Sequence, residues 1–221
     1  MIIIKNKICN VDIPDGFIVF ISGVPGVGKT TISYELLKKF DKFRIIEETD
    51  LIREVLRGYN KYLINEYGNR IDFIFDKINI TDHTKLLSLN EAIEQCNFMK
   101  NSFEEIISRQ QRKGIASIIN GVHVIPEILN GIGENHNIIY INLYVNNEHE
   151  LHQRILNRNP TSYMLNHIPF IFNANNELYS STDKLVQKTS HIFNIDVTNL
   201  SIDATIKEIT YCIYNVIKNS H

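Results

Sequence analysis

The sequence predicts an α/β fold in which a mainly parallel, five-stranded sheet carries helices on both faces, and three observations predict it. The run Gly23-Val24-Pro25-Gly26-Val27-Gly28-Lys29-Thr30 is a complete G-x-x-x-x-G-K-[ST] phosphate-binding loop. An apolar run, Phe17 to Ile21, leads directly into it, and an amphipathic segment with Ile32, Leu36, Leu37 and Phe40 on one face leads away from it. Further along, β-type runs alternate with helical periods, the pattern of a parallel sheet covered on both sides.

Each element follows from local signals. Residues 2 to 16 alternate weakly and end on the turn signal Ile13-Pro14-Asp15-Gly16, so a short strand feeding the first core strand is expected there. Phe43 to Glu48 reads as a second strand. A helix beginning at Ile52 is expected to stop at Gly58, and residues 60 to 84, rich in Asn, Asp and Tyr, read as a loop at the mouth of the site. From Ser88 to Arg112, Ala92, Cys96, Met99, Phe103 and Ile106 recur at spacings of four and three, the buried stripe of a long helix that Gly114 stops. Ala116 to Asn120 is a third strand, and Asn137 to Val145 is the fourth and strongest β signal. Helical segments are expected at about 147–157 and 176–188, bracketing Pro160 and Pro169. Ile192 to Val197 then forms a fifth strand and Ile202 to Ile217 a closing helix.

Composition narrows the class. A chain of 221 residues with a net charge of −2 is expected to form one domain, and no basic excess points to nucleic acid. Cys9, Cys96 and Cys212 are too few and too scattered for a disulfide framework or a zinc site, and read as buried or free thiols in a reducing compartment. The apolar opening Met1 to Lys5 is shorter than a signal sequence or a membrane span, so a cytoplasmic protein without a membrane partner is expected. Core and interface stripes look alike in one sequence, which leaves the oligomeric state open.

The phosphate loop carries its own chemistry. Its glycines let the backbone curl around an anion, so that successive N–H groups point at phosphate oxygens, reinforced by the dipole of the helix that starts at Lys29. Gly23, Val24, Pro25, Gly26, Val27, Gly28, Lys29, Thr30 and the adjacent Thr31 are therefore the expected nucleotide contacts. Lys29 is expected to reach the β- and γ-phosphates, and the Thr30 hydroxyl to sit on Mg²⁺. The fold class that results is a P-loop NTPase.

A second constellation stands at the end of the second strand, in Thr49-Asp50-Leu51-Ile52-Arg53. Carboxyl ends of parallel strands line the ligand crevice, which points Asp50 at the γ-phosphate end of the nucleotide. A carboxylate there can accept the proton of an attacking hydroxyl, and Arg53, one helical turn on, can fork onto an anionic group of the acceptor. The plainer alternative is a helix cap at Asp50 and a surface ion pair at Arg53.

The run Thr49-Asp50-Leu51-Ile52-Arg53-Glu54-Val55-Leu56-Arg57, with Gly121-Val122-His123-Val124-Ile125-Pro126, resembles the 2-phosphoglycerate kinase family, whose matching segments read close to T-D-x-I-R-E-V-L-R and E-G-V-H-L-V-P. The resemblance runs from about Ile18 to Arg158, with Gln95 and its long helix fitting the same pattern. The D-x-x-R is also similar to that of polynucleotide 5′-kinases and other small hydroxyl kinases. The resemblance implies ATP with Mg²⁺ and transfer of the γ-phosphoryl group to an alcohol, with a helical lid at about 147–175. It implies Asp50 as base and, with Thr30, as metal contact. Arg53 and Arg57 become acceptor anchors, and His123 an acceptor contact. Arg154 and Arg158 become lid arginines closing over the phosphates, set against a solvated helix in which Arg154 pairs with Glu150. Asn199 and Leu200 fall where relatives hold the adenine, and Asp196 ends the strand before them.

Two departures stand out. Asn120 occupies the place of the family's Glu at the end of the third strand, where an acidic residue helps hold the metal through water. The lid after Arg158 is also poorer in arginine than the family pattern. The leading expectation is an ATP-dependent kinase of a small anionic hydroxyl compound, 2-phosphoglycerate first. A polynucleotide or nucleoside 5′-hydroxyl kinase is the alternative, for which Tyr59, Tyr62 and Tyr67 with Asn60, Asn65 and Asn69 offer stacking groups beside Lys61 and Arg70. A nucleotide-dependent regulatory protein is the third, favoured by Asn120 and opposed by Asp50 and Arg53.

Overall fold

The structure, a computed structural model, describes residues 11–67, 88–132, 137–158 and 160–219. Five parallel strands, β1 (Ile18–Ser22), β2 (Phe43–Glu48), β3 (Ala116–Asn120), β4 (Ile138–Tyr144) and β5 (Ile192–Asp196), lie in the order β2-β3-β1-β4-β5. The described helices are α1 (Lys29–Lys39), α2 (Thr49–Tyr67), α3 (Leu89–Arg112), α4 (Pro126–Leu129), α5 (Glu148–Leu156), α6 (Ser162–Asn166), α7 (Ile168–Val186) and α8 (Ile202–Asn219).

The strands are apolar throughout because the sheet is covered on both faces, and their two-residue period divides them between two cores. Val19 and Ile21 of β1, Ile118 of β3 and Ile139, Ile141 and Leu143 of β4 point to one face, where α1 and α8 cover them. Ile18, Phe20, Ile119, Ile138 and Tyr140 point to the other, where the stripe of α3 meets them. Phe20 stacks on Tyr140 at 4.9 Å and meets Phe103 of α3 edge-on at 6.3 Å. The buried Tyr140 hydroxyl donates to the Leu129 carbonyl at 2.6 Å, which removes the cost of an unpaired hydroxyl in the core.

Several elements differ from the sequence expectation. α2 starts at Thr49 and runs through Gly58 to Tyr67, so residues 60–67 are helix, while 68–84 lie outside the described residues. Gly58 does not end the helix because its φ is not positive, and a Cβ there would meet open space. It sits on the outer face and costs about 1 kcal/mol relative to Ala, while Leu56 and the buried Asn60 hold the inner face against the core. Tyr59 and Tyr62 are consequently exposed helix residues, stacked on one another at 6.2 Å, rather than part of a loop.

The α3 stripe turns by one residue at its end, burying Ile107 in place of Ile106, and adds the buried Gln95 and Gln110. Ser88 caps it with a reciprocal box to Glu91. α7 begins eight residues before the expected 176, because Pro169 stands in its first turn, where a missing N–H costs nothing. Residues 11–14 are not strand, and the earlier part of the expected N-terminal strand lies outside the described residues. The short α4 and α6 have no clear periodic signal of their own.

Cys96 and Cys212 are buried free thiols, both pushed up to about 12 by desolvation, and Cys9 lies outside the described residues. No helix among the described residues is long and apolar enough to cross a membrane. Because Phe103 fills the contact between α3 and the centre of the sheet, Phe103→Ala is expected to lower unfolding free energy by about 3–5 kcal/mol in a denaturant titration.

Candidate active site

The phosphate loop leaves β1, the central strand, and its glycines do what their conformations require. Gly23 (φ 138°), Gly26 (φ 94°) and Gly28 (φ 99°) all hold left-handed backbone. At Gly23 the approach is also close, since a Cβ would lie 2.5 Å from the Leu143 carbonyl oxygen of β4. Gly28 caps α1 without a side-chain bond, so the N–H groups of the first turn, including those of Lys29, Thr30 and Thr31, remain available to an anion.

Lys29 folds back so that Nζ donates to the Val24 carbonyl at 2.9 Å. Its ammonium is pushed down to about 8, chiefly by burial; Asp50 pulls the other way, and the positive charge of Arg158 adds to the depression. The loop therefore holds a desolvated cation that phosphate oxygens would compensate.

Asp50 stands at the first turn of α2, its side chain 62% exposed, and its Oδ1 accepts from Arg53 Nη1 at 3.3 Å. Arg53 is almost fully buried, with a side chain 8% exposed. Its Nε and Nη2 also donate to Glu54 Oε1, at 3.2 and 2.9 Å, and Arg57 Nη1 donates to Glu54 Oε2 at 2.9 Å. Both arginines hold the Glu54 carboxyl below the usual carboxylate range. Arg53 thus makes the ion pairs of the plainer alternative and orients Asp50 at the same time. The clamp by Glu54 was readable as the spacing Glu54 to Arg57, one helical turn.

His123 is placed below the crevice rather than on its wall. It is 0% exposed, with Nδ1 2.9 Å from Thr49 Oγ1 and Nε2 2.6 Å from Gln95 Oε1. Asp50 Oδ1 lies 3.8 Å from Nδ1.

Arg154 takes a structural position. Its Nε donates to Glu150 at 2.7 Å, and Nη2 donates to the Val197 carbonyl and, at 3.2 Å, to that of Thr198. It ties α5 to the loop after β5 instead of pointing its charge at Lys29. Arg158, exposed at the end of that segment, is the arginine whose charge acts on Lys29. Asp196 does more than end β5, since it accepts from Asn146 Nδ2 at 2.6 Å and from Thr198 N at 2.9 Å, which leaves Asn199 exposed at the tip of the loop.

A cavity of about 210 Å³ opens between Gly23 to Pro25, Asp50, the start of α3 at Ser88, and Met164 and Ile171 of α6 and α7. Apart from Asp50 and Ser88, its described walls carry apolar side chains or none. These lid contacts had no readable motif in the sequence, because they depend on how α6 and α7 fold back over the loop.

Among the described residues no three His, Cys, Asp or Glu side chains converge on a metal. A phosphate-bound Mg²⁺ needs fewer protein ligands, since it keeps several waters. The residues present fit that case: Thr30 lies in the first turn of α1, and Asn120, 2% exposed at the end of β3, has a side-chain nitrogen without a hydrogen-bond partner. Such a nitrogen can donate to a phosphate oxygen.

Two outcomes follow for the loop. Gly23→Ala is expected to abolish binding of an ATP analogue and to cost about 1–3 kcal/mol of stability, measured by calorimetry and denaturation. Phosphates favour charged Lys29, so analogue affinity is expected to be flat below pH 8 and to fall above it by up to about tenfold per unit. The same group acts oppositely on the unliganded fold. Between about 8 and its ordinary 10.5 the unfolded chain binds the extra proton, so Lys29 contributes stability that rises with pH in that window.

The chain is similar to 2-phosphoglycerate kinase from Pyrococcus horikoshii, at 26% identity over 87% of this chain and 62% of that protein. It is similar at 25% to 2-phosphoglycerate kinase from Methanococcus vannielii, over 86% of this chain and 62% of that protein. The chain thus spans about 62% of the length of the curated relatives it matches. Among solved structures it superposes on thymidylate kinase from Candida albicans with a TM-score of 0.58, at 16% identity over 94% of this chain and 95% of that one. A gluconokinase from Sinorhizobium meliloti gives a TM-score of 0.55, at 10% identity over 92% and 95%. These likenesses establish the P-loop kinase fold. The match to the AAA domain family spans residues 19–167, from the central strand through the phosphate loop and Asp50 to the lid, and the chain belongs to that family.

Proposed function

We propose that the protein is an ATP-dependent phosphotransferase that moves the γ-phosphoryl group to a hydroxyl of a small acceptor. The observation that carries this reading is the shared cavity, which has Gly23 to Pro25 of the phosphate loop and the exposed carboxylate of Asp50 on its wall. A protein that only switched between nucleotide states would have no use for an oriented carboxylate facing the same cavity as the phosphate loop.

In this reading the acceptor hydroxyl attacks the γ-phosphorus as the bond to the β,γ-bridging oxygen breaks, and its proton passes to Asp50. Arg53 fixes the carboxylate through Oδ1. Lys29 and Arg158 offset charge on the transferring group, and the apolar walls formed by Met164 and Ile171 keep water from competing as acceptor. Thr30 and Asp50 would hold Mg²⁺, with Asn120 Oδ1 accepting from its water, and the ion would supply positive charge that offsets the phosphates. Arg154 acts by holding α5 against the β5–α8 loop, beside which Asn199 meets the base.

For the acceptor we propose 2-phosphoglycerate first, supported by the names of the two curated relatives. The buried free thiols of Cys96 and Cys212 fit a reducing, cytoplasmic setting.

ADP release is the test. With ATP, Mg²⁺ and 2-phosphoglycerate, acceptor-dependent turnover is expected, and Asp50→Asn should lower it by about 10²–10⁴-fold. Basal turnover that no acceptor in a panel of small alcohols raises, and that Asp50→Asn leaves as it was, would overturn the reading.

A further inference from the structure

We infer that the loop after β3, residues 121–125, is the spacer that sets the distance between the phosphate loop and Asp50, through a buried relay of Gln95, His123 and Thr49 that acts as a positioning device. The inference rests on the reading of Asp50 as the base. It begins from two side-chain bonds to this one short loop. On one side Ser22, the residue before Gly23, donates its hydroxyl to the Val124 carbonyl at 2.7 Å. On the other, Thr49, the residue before Asp50, bonds His123 at 2.9 Å. Both bonds are buried, so neither competes with water. The loop is bolted next to the first glycine of the nucleotide site and next to the carboxylate across the cavity.

The tautomer of His123 follows from its neighbours. An amide oxygen only accepts, so Gln95 Oε1 at 2.6 Å pairs with Nε2–H. In that tautomer Nδ1 accepts from the Thr49 hydroxyl. The rotation of the ring is fixed from both ends. Gly121 makes the contact possible, because a Cβ there would stand 1.7 Å from Thr49 Oγ1. A side chain at 121 and a threonine at 49 cannot both keep these positions.

A pair of variants separates positioning from bulk stability. Thr49→Val keeps the shape and removes the donor; Thr49→Ser keeps the donor and removes a methyl group. Thr49→Val is expected to lower acceptor-dependent kcat by about ten- to a hundredfold, with KM for ATP within about twofold of the parent, while Thr49→Ser recovers kcat to within about threefold. Rates are referred to sites titrated with an ATP analogue, so unfolded protein is not counted. Equal kcat in the two variants would overturn the relay while leaving Asp50 as the base. A parent protein without acceptor-dependent turnover would overturn the reading of Asp50 itself. Independently of turnover, nitrogen NMR of the parent should show the Nε2–H tautomer of His123, and an Nδ1–H tautomer would also overturn the proposal.

Discussion

Everything at the site depends on β1 being buried on both faces between two parallel neighbours. A strand in that position cannot slip, because a one-residue shift would move Val19 and Ile21 out of one core and Ile18 and Phe20 out of the other. Parallel pairing with β3 and β4 then brings the carboxyl ends of all three strands to one edge. Gly23, Asn120 and the start of α5 emerge together there, and β2 adds Thr49 and Asp50 one strand further out. The chemistry-bearing residues are spread over more than a hundred positions in sequence, and pairing register gathers them.

Charge at that edge is arranged unevenly, and the unevenness follows from burial. Arg53 and Arg57 share Glu54, and Arg154 is held by Glu150 and two carbonyls, so these cations are largely balanced within the protein. Lys29 has, among the described residues, only a carbonyl within hydrogen-bond reach, and its ammonium is pushed down by burial. A ligand with several negative charges therefore gains most at the loop and less elsewhere along the edge. Asn120 follows the same logic: an amide in place of a carboxylate leaves the end of β3 uncharged, so less negative charge opposes the phosphates, and Asp50 becomes the main acidic group facing the cavity.

Helices α5 to α7 pack onto the sheet, and α6 and α7 also line the cavity. α5 is capped by Asn147 and stapled by Arg154 to the loop after β5, which is in turn bound through Asp196 to Asn146. That network fixes the end of the sheet at β4 and β5. Beside it α6 and α7 lean apolar groups over the phosphate loop, and the same residues, Ile171 and Met164, pack against the core behind it. These walls are continuous with the hydrophobic core, so packing shapes the cavity where α6 and α7 line it.

The phosphate loop, the strand that feeds it and the five-strand parallel pattern were legible in the sequence because each rests on short-range rules: glycine conformations, two-residue alternation and the periods of the covering helices. The pairing of Asp50 with Arg53 was legible too, as one helical turn. The run of α2 past Gly58 was not, since a glycine ends a helix only if its backbone turns left-handed, and the packing of Leu56 and Asn60 prevented that here. Nor were the roles of His123, Gln95 and Arg154. Composition and spacing mark these as polar residues able to meet a ligand; which atom faces them is set by contacts between elements far apart in the chain. By itself the sequence determined that a phosphate loop opens a parallel sheet and that an acid follows the second strand. Only the tertiary structure decided that histidine sits beneath that acid and that Arg154 ties α5 to the loop after β5, because burial and hydrogen-bond partners exist only once the strands are in register.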